Sequence, residues 1–418
     1  MKPPPLKNDC FALPPGVDWT PVDDAKALLR QRLHAVTSVE RVPLFQAAGR
    51  FLAEDVLAER SNPPMPNSAV DGYGFAAAAT GQGVQILPLV PGRAAAGQPF
   101  EGEVPDGHAI RILTGAMLPD GVDTVVLQED VTAETARIAF RGPIKPGSNT
   151  RKAGEDVPAA TVVFKKSRRL EPQDLALLAS VGVREVRVHV PLKIGVLSTG
   201  DEIRAVGQEA KPHQIFDANR PMLLSLVASW GYRAVDLGHV QDDRHELSVR
   251  MNMASEQADV ILTTGGASAG EEDHISALLK DTGTIESWRI AVKPGRPLAL
   301  GLWRQVPVFG LPGNPVAAYV CTLVFGGPAF RVLAGGDWQE ALGYMVPAAF
   351  SKSKKPGRRE YLRARLNGDG AAEVFRSEGS GRISGLSWAS GLVEIGDAAQ
   401  EIRPGDPVRF LPFEAFGR

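Results

Sequence analysis

Between Lys193 and Pro315, short apolar runs alternate with helical patterns, and this alternation constrains the fold more than any other feature of the chain. Strands that alternate with helices form a mostly parallel sheet with helices on both faces. In such a sheet, ligands bind beyond the carboxyl ends of the strands. The pattern predicts a three-layer α/β domain of nucleotide-binding type, with strands at 194–199, 234–240 and 260–264 and helices at 222–230, 249–257 and 274–280.

Acidic residues follow three of these predicted strands, in the segments 201–202, 242–243 and 271–273. One acidic strand end can serve as a helix cap, but three on one sheet edge repel one another unless a cation or a ligand lies between them. Carboxylate oxygens are the ligands that hard divalent cations take. The sequence therefore predicts a functional, metal-binding edge.

Glycines and cations accompany these acids. The small-residue loop 265–270 follows the strand 260–264, and two rigid turns follow at 293–297 (KPGRP) and 310–315 (GLPGNP). Glycine lets the backbone approach a ligand, and the first N–H groups of a helix favour a phosphate. These segments predict a site for a phosphorylated or nucleotide-like ligand.

A serine hydrolase is the rival interpretation of the same loop. Gly266 to Gly270 has the form G-x-S-x-G with Ser268 at its centre, between a strand and a helix. The chain has only one histidine after that serine, His274, and it is too close in sequence to fold back as a base. Position therefore disfavours the hydrolase.

Composition narrows the class of protein. The net charge of −2 gives no electrostatic case for nucleic acid or an anionic membrane. Cys10 and Cys321 have no zinc or disulfide spacing, and the N-terminus lacks the apolar core of a signal peptide. We expect a cytoplasmic, soluble protein whose proline-rich residues 1–18 form a disordered arm.

The segments around the α/β domain predict β-rich and scaffold domains. Expected are an elongated scaffold or linker domain (19–60 and 151–190), an inserted small β domain (61–150), the α/β domain (191–335) and a C-terminal β-barrel (336–418). In the inserted domain, prolines extend a loop that ends in Asp71-Gly72, where the carboxylate either forms a turn or faces a site. In the barrel, the loop 379–382 offers amides and Arg382 to an anion.

Several helix boundaries also follow from local signals. We expect Thr20 to cap a helix with Pro21 in its first turn, and a second helix to span 44–53. Asn219 is predicted to cap the helix 222–230. Asn314 and Pro315 are predicted to start a helix to 333 that Pro328 ends or kinks.

Four ordered motifs resemble one family closely. They are the proline-rich loop with SAVDGY at 68–73, STGDE at 198–202, GGASAG at 265–270 and GLPGNPV at 310–316. The chain resembles molybdopterin molybdenumtransferases and is similar to the E domain of gephyrin, from about Pro21 to nearly its end. The resemblance implies an elongated, four-part subunit that forms a homodimer. It also implies insertion of molybdate into the dithiolene of adenylylated molybdopterin, with Mg²⁺ and release of AMP.

The resemblance also implies roles for individual residues and a context for the protein. Other molybdenum cofactor enzymes are implied as partners, whereas a non-catalytic pterin-binding scaffold remains an alternative. Arg289 and Arg296 stand where the family often has lysine, which keeps the charge but changes the geometry of an anion contact. The implied catalytic residues are Asp71, Thr114, Glu202, Asp242 and Asp273, the last three also as metal ligands. The implied substrate-binding residues are Ser198, Thr199, Gly200, Gly265, Gly266, Ser268, Gly270, Arg289, Lys293, Arg296, Pro312, Gly313, Asn314, Pro315 and Ser380.

Overall fold

The structure, a computed structural model, describes residues 19–265, 274–281, 285–295 and 297–417. Its helices are α1 Val22–Arg32, α2 Pro172–Ser180, α3 Asn219–Ser229, α4 Arg244–Gln257, α5 His274–Asp281, α6 Pro315–Cys321, α7 Gly327–Leu333 and α8 Ser384–Trp388. A π-helical turn, Thr322–Gly326, joins α6 to α7.

The strands fall into three successive groups along the chain. The first group is β1 Val39–Pro43, β2 Val56–Leu57, β3 Asn67–Ser68, β4 Gly72–Phe75, β5 Gly83–Ala94, β6 Ala109–Ile112, β7 Thr124–Leu127, β8 Val131–Ala133, β9 Arg137–Gly142, β10 Thr150–Arg151, β11 Val162–Phe164 and β12 Glu185–His189. The second is β13 Lys193–Thr199, β14 Ile203–Arg204, β15 Ile215–Phe216, β16 Arg233–Val240, β17 Val260–Thr264, β18 Ile285–Arg289, β19 Val292–Lys293, β20 Pro297–Trp303 and β21 Val306–Leu311. The third is β22 Tyr344–Pro347, β23 Lys352–Lys354, β24 Arg359–Leu366, β25 Ala372–Val374, β26 Gly391–Ile395, β27 Gln400–Ile402 and β28 Pro407–Pro412.

The chain divides into two compact units, one of residues 1–40 and 189–418 and the other of residues 41–188. In the first unit, the central sheet has the order β16-β13-β17-β21-β20-β18. Its first three pairs are parallel, and the β20 pairs are antiparallel. The predicted mostly parallel sheet is confirmed.

Helices bury apolar side chains against this sheet. Leu197 and Ile261 of the strands are fully buried, and Leu247 and Met251 of α4 and Ile275 of α5 lie in the same cluster at about 1% exposure. Burying one such side chain contributes roughly 1.5–3 kcal/mol. The short apolar runs therefore form the layer against which α4 and α5 pack.

A second sheet in the same unit is built from the C-terminal segment, in the order β19-β24-β26-β28-β22 with β25 on β24. Val393 and Phe410 lie in its core. Strand β19 pairs in parallel with β24, so Lys293, the first residue of the KPGRP motif, lies in this C-terminal sheet. The predicted C-terminal β domain is present.

The second unit carries its own six-stranded sheet, with the order β7-β4-β6-β5-β9-β8. Its core contains Phe75 stacked on Phe140, with ring centroids 5.0 Å apart. Helix α2 begins after a capping box formed by Glu171 and Asp174, with Pro172 at its first position. The short strand pairs β2 with β11 and β3 with β10 complete the unit.

Three local predictions are wrong. Thr20 is not the cap of α1, because Pro21 occupies that position and Thr20 forms a bridge with Ile290. The helix predicted at 44–53 is only the 3-10 turn Leu44–Gln46; Gly49 then adopts a φ of 75° and Phe51 bridges to Arg169. Asn219 is the first residue of α3, and Ala218 is the cap.

The long helix at 315–333 does not end at Pro328. Pro328 lacks an N–H, and the π-helical turn that directly precedes α7 absorbs the irregularity. This is the one helix among the described residues with the length and apolarity of a membrane span, but 83% of its window is buried inside the structure. It is a core helix.

The domain boundaries remain predictions. The structure places α1 in the unit that contains residues 189–418, where Asp23 forms ion pairs with Arg359. Residues 19–60 therefore divide between the two units.

Candidate functional site

The carboxyl ends of four neighbouring parallel strands form one edge of the central sheet. Thr199 of β13 lies opposite Val240 of β16, and Ser198 lies opposite Thr264 of β17. Thr264 in turn lies opposite Leu311 of β21. The residues that directly follow these strands, namely Gly200, Gln241, Gly265 and Pro312, therefore lie at one edge of the sheet.

Two of the acidic strand ends interlock. The backbone N–H of Asp242 donates to Asp201 Oδ1 at 3.1 Å, and the N–H of Asp201 donates to Asp242 Oδ2 at 3.3 Å. The predicted juxtaposition of these ends on one sheet edge is confirmed. The neighbouring Asp243 caps α4 instead, by accepting a hydrogen bond from the Glu246 N–H at 2.7 Å.

Glu202 lies directly against Gly200, the glycine that follows β13. Gly200 has a φ of 139°, and a Cβ built there would lie 2.5 Å from Glu202 Oε2. Glu202 itself is exposed. The residue before Asp201 must therefore be small if this carboxylate is to stay at the edge.

The described residues contain no group of three acids, histidines or cysteines able to hold a metal. Glu202 and Asp242 offer only oxygen donors, which fits a hard cation. Asp273, the third predicted ligand, lies outside the described residues, as do Gly266, Ser268, Gly270 and Arg296. Arg289 is placed by its backbone only, in β18.

Two glycines, Gly265 and Gly313, lie together at the same sheet edge, and we call this pair the glycine floor. Gly265 has a φ of 90°, and a Cβ there would lie 2.5 Å from the Thr199 carbonyl oxygen. A Cβ on Gly313 would lie 3.8 Å from the Cα of Gly265. The ends of β13, β17 and β21 thus come together through residues that were predicted to bind substrate.

The two predicted hydroxyl residues of β13 point into the sheet. Ser198 and Thr199 are 1% and 5% exposed, and Ser198 Oγ accepts a hydrogen bond from Thr264 Oγ1 at 3.3 Å. Their side chains hold neighbouring strands together. A contact with substrate through these hydroxyls stays a prediction.

The start of α6 is covered by the C-terminal domain. Pro315 has no N–H, and the N–H of Val316 donates to the Ser380 carbonyl at 3.2 Å. Arg363, only 4% exposed, holds the same loop by donating to the carbonyls of Ser377, Gly379 and Arg382. Ser380 therefore lies beside the motif 310–315, as its predicted role requires.

Lys293 is already paired with acids. Its Nζ lies 2.5 Å from Glu378 and 3.5 Å from Glu360, and Lys352 contacts the same two carboxylates. Burial tends to raise the pKa of Glu378, but hydrogen bonds from Lys293 and Lys352 lower it below its ordinary value overall. An anion that binds Lys293 must compete with this carboxylate.

Asp71 and Thr114, two predicted catalytic residues, meet in the second unit. Strands β4 and β6 are antiparallel with Gly72 opposite Ile112, so the residue before β4 lies beside the residues after β6. The N–H and the hydroxyl of Thr114 each donate to Asp71 Oδ1 at 2.7 Å. These two bonds, with the charge of Arg111, hold the pKa of Asp71 below its usual value.

Two polar residues at the edge were missed by the sequence prediction. His239 Nε2 lies 2.7 Å from the Gly200 carbonyl oxygen, and because a carbonyl only accepts, Nε2 carries the proton. Asn219 Nδ2 donates to the Gly313 carbonyl at 2.7 Å. Neither contact has a local sequence signal, since each joins segments far apart in the chain.

This fold and edge define an α/β protein whose acidic and glycine-bearing strand ends suit a phosphorylated ligand. The chain matches three family descriptions in order: the MoeA N-terminal region (domain I and II) at residues 20–182, a probable molybdopterin binding domain at 195–331 and the MoeA C-terminal region (domain IV) at 345–413. The chain belongs to the MoeA family of molybdopterin molybdenumtransferases.

Similar proteins agree over nearly the full length. The molybdopterin molybdenumtransferase of Haemophilus influenzae is 35% identical over 94% of this chain and 98% of that protein. The enzyme of the same name from Synechococcus elongatus is 32% identical over 91% of this chain and 96% of its own. The crystal structure of the molybdopterin biosynthesis MoeA protein from Pyrococcus horikoshii OT3 matches at a TM-score of 0.82, with 29% identity, over 94% of this chain and 100% of that chain.

These matches confirm the predicted family, the multidomain α/β and β fold class and the transferase activity. The chain is an enzyme of molybdenum cofactor biosynthesis, with molybdopterin and molybdate as its substrates. The serine hydrolase interpretation is thereby overturned.

Proposed function

We propose that this enzyme inserts molybdate into the dithiolene of adenylylated molybdopterin and releases AMP in a Mg²⁺-dependent reaction. The observation that carries the proposal is the acidic sheet edge, where Asp201 and Asp242 interlock and Glu202 lies against Gly200, directly after β13. Cleavage of an adenylate needs its phosphate held and the developing charge neutralised. A phosphate can approach the backbone at Gly265 and Gly313, where no side chain intervenes.

Glu202 and Asp242, with Asp273, are the residues that would hold Mg²⁺. Bound there, the cation would supply charge neutralisation at the phosphate. The N–H of Asp201 orients the Asp242 carboxylate by donating to its Oδ2, and the Asp201 carboxylate holds the backbone N–H of Asp242 in return. The substrate brings its own two sulfurs, which agrees with a chain that contains only two cysteines.

We also propose a cytoplasmic homodimer in which the partner subunit contributes Asp71 and Thr114 to the site. Their hydrogen-bonded pair lies in residues 41–188, whereas the acidic edge lies in residues 189–418. Because its pKa is depressed, the Asp71 carboxylate stays ionised. It can then accept a hydrogen bond from a donor group of the ligand or from a water molecule that it orients.

The test is AMP release by Glu202→Gln and Asp242→Asn at several Mg²⁺ concentrations. Each variant removes one negative charge from the edge, so we expect release to fall at least about 100-fold and to need more Mg²⁺. The matched control is Asp243→Asn, which removes a charge one residue away but keeps a good helix cap. Equal AMP release by all four proteins at limiting Mg²⁺ would refute the assignment.

A further inference from the structure

Asn219 begins α3, but its side chain does not cap that helix. Its Nδ2 donates to the backbone carbonyl of Gly313 at 2.7 Å, and the residue is 8% exposed. Because a carbonyl only accepts hydrogen bonds, this contact fixes which end of the amide faces Gly313. Asp217 instead serves the start of the helix, since its Oδ1 accepts from the Arg220 N–H at 3.0 Å.

The other end of the amide has no partner. Asn219 Oδ1 is buried, and no group in the described part of the chain donates to it. An unmet buried acceptor costs about 1–3 kcal/mol, and folded proteins rarely leave one without water, an ion or a ligand. Nδ2 and Oδ1 of Asn219 are bonded to the same carbon, so the unpartnered Oδ1 lies close to the Gly313 carbonyl that Nδ2 contacts.

This position is the meeting point of three strand ends. Gly313 is exposed and follows β21, the Cα of Gly265 lies next to it, and Gly265 in turn lies against Thr199 at the end of β13. A ligand seated on this glycine floor would contact Gly313, whose carbonyl accepts from Asn219. The chemistry of the free atom restricts which part of a ligand it can meet.

An amide oxygen accepts hydrogen bonds and repels other acceptors. Phosphate and molybdate oxygens are acceptors and carry negative charge, so neither is a partner for Asn219 Oδ1. The remaining parts of an adenylylated pterin carry donors, namely the N–H groups of the pterin, the amino group of the adenine and the hydroxyls of the ribose. The free oxygen therefore fits the donor-bearing part of the ligand.

We propose that Asn219 is a substrate-binding residue: its Oδ1 accepts a hydrogen bond from an N–H or O–H donor of the substrate, while its Nδ2 fixes the Gly313 carbonyl. This inference rests on the proposed function for the nature of the ligand. It adds a residue to the glycine floor that none of the four motifs contains. The pterin and nucleotide halves of the substrate separate by experiment, because molybdopterin and AMP can be offered individually.

The experiment measures the affinity of the full-length protein for AMP and, separately, for molybdopterin by titration calorimetry. Asn219→Ala removes the acceptor and should weaken binding of one of the two probes about tenfold, the value of one neutral hydrogen bond. The probe that loses affinity identifies the half of the substrate that donates. The matched control is Thr263→Val, which removes another buried oxygen without a partner, on β17, and should leave both affinities unchanged.

A second variant separates ligand binding from a structural role. Asn219→Asp has nearly the same shape and keeps an acceptor for the ligand, but it cannot donate to Gly313. If Oδ1 binds the ligand, the aspartate variant keeps more affinity than the alanine variant. The aspartate variant also keeps the inference testable if the alanine variant does not fold.

Equal losses in the alanine and aspartate variants would show that Asn219 only holds Gly313 and would overturn the inference. Unchanged affinities in both variants, or no binding of either probe by the unaltered protein, would overturn it too. Failure of the proposed function is distinct: the unaltered protein would then release no AMP although Asn219→Ala still weakened binding. Conversely, AMP release with affinities unaffected by Asn219→Ala would leave the proposed function intact.

Discussion

At the scale of single residues, Asp71 shows how a loop carboxylate is prepared for chemistry. Its Oδ1 accepts two hydrogen bonds from one residue, Thr114, and the backbone bond and then the hydroxyl bond are the main causes of its lowered pKa. The carboxylate therefore stays charged as the pH falls below the ordinary pKa of aspartate.

Thr114→Val should raise the pKa of Asp71 towards its ordinary value. Valine has the shape of threonine without the hydroxyl, and the backbone N–H of residue 114 remains as a donor, so only part of the shift should be lost. A folded pKa below the unfolded value stabilises the fold above the unfolded pKa, and this effect disappears as the pH falls through the folded pKa. The valine variant should therefore lose that stabilisation at a higher pH than the unaltered protein.

The measurement is an NMR titration of the Asp71 carboxyl carbon between pH 2 and 6, a range chosen around the ordinary aspartate value of about 3.9. Thr150→Val is the control, since the Thr150 hydroxyl donates to the Gly147 carbonyl and not to an acid. An identical titration of Asp71 in the Thr114 variant and the unaltered protein would contradict this account.

At the scale of elements, the strand ends of the central sheet depend on glycine. Gly265 combines a φ of 90° with a closest approach of 2.5 Å between a built Cβ and the Thr199 carbonyl. Both features lie where two parallel strands end in register, since Ser198 of β13 is opposite Thr264 of β17, the residue directly before Gly265.

Gly265→Ala should lower the free energy of unfolding by roughly 2–4 kcal/mol, because it adds a steric clash to an unfavourable backbone conformation. Gly207→Ala is the matched control: Gly207 has a φ of 89° but no atom within 4 Å of a built Cβ. We expect the control to cost only about 1–2 kcal/mol, the backbone part alone. Urea unfolding followed by tryptophan fluorescence measures the free energy of unfolding of both variants. Equal losses in the two variants would contradict this expectation, because the clash at Thr199 would then add nothing.

The same scale shows what the sequence can and cannot predict. The strand Val260–Thr264 was predicted with its observed bounds because five apolar and β-branched residues lie between an acid and a glycine. The caps at Thr20 and Asn219 were wrong because each residue is used by a distant segment, Ile290 in one case and Gly313 in the other. Such partners are set by the tertiary fold and have no local pattern.

In the candidate site too, some contacts can be predicted from the sequence and others cannot. Asp201 and Asp242 could be placed together because the carboxyl ends of parallel strands share an edge, and the structure joins them directly. The pairing of Asp71 with Thr114, although both residues were predicted, depends on the register of β4 with β6. The ion pairs of Lys293 could not be predicted, because Glu360 in β24 and Glu378 after β25 come from a distant part of the chain.

At the scale of the whole molecule, the proposed homodimer predicts complementation between inactive variants. Asp71→Asn and Asp242→Asn alter residues of the two different units and should each be inactive as homodimers. If one subunit supplies Asp71 and its partner supplies the acidic edge, mixed dimers contain one intact site of two. Random exchange makes half of the dimers mixed, so activity should recover to roughly a quarter of the unaltered level.

Glu202→Gln mixed with Asp242→Asn is the control for this exchange, because both changes lie on the same edge and no intact site can form. Mass measurement of the dimers verifies that exchange has occurred. Recovery in neither mixture, despite verified exchange, would place Asp71 in the same subunit's site or outside it.

The central claim is that this chain couples cleavage of an adenylate to insertion of molybdenum. The most direct measurement incubates the purified protein with adenylylated molybdopterin and Mg²⁺, with and without molybdate, and quantifies AMP and pterin-bound molybdenum in the same samples. The account predicts one AMP for each molybdenum inserted, and little AMP when molybdate is left out. Tight binding of the pterin without AMP release would indicate a scaffold, and AMP release that ignores molybdate would indicate simple hydrolysis; either result would contradict the account.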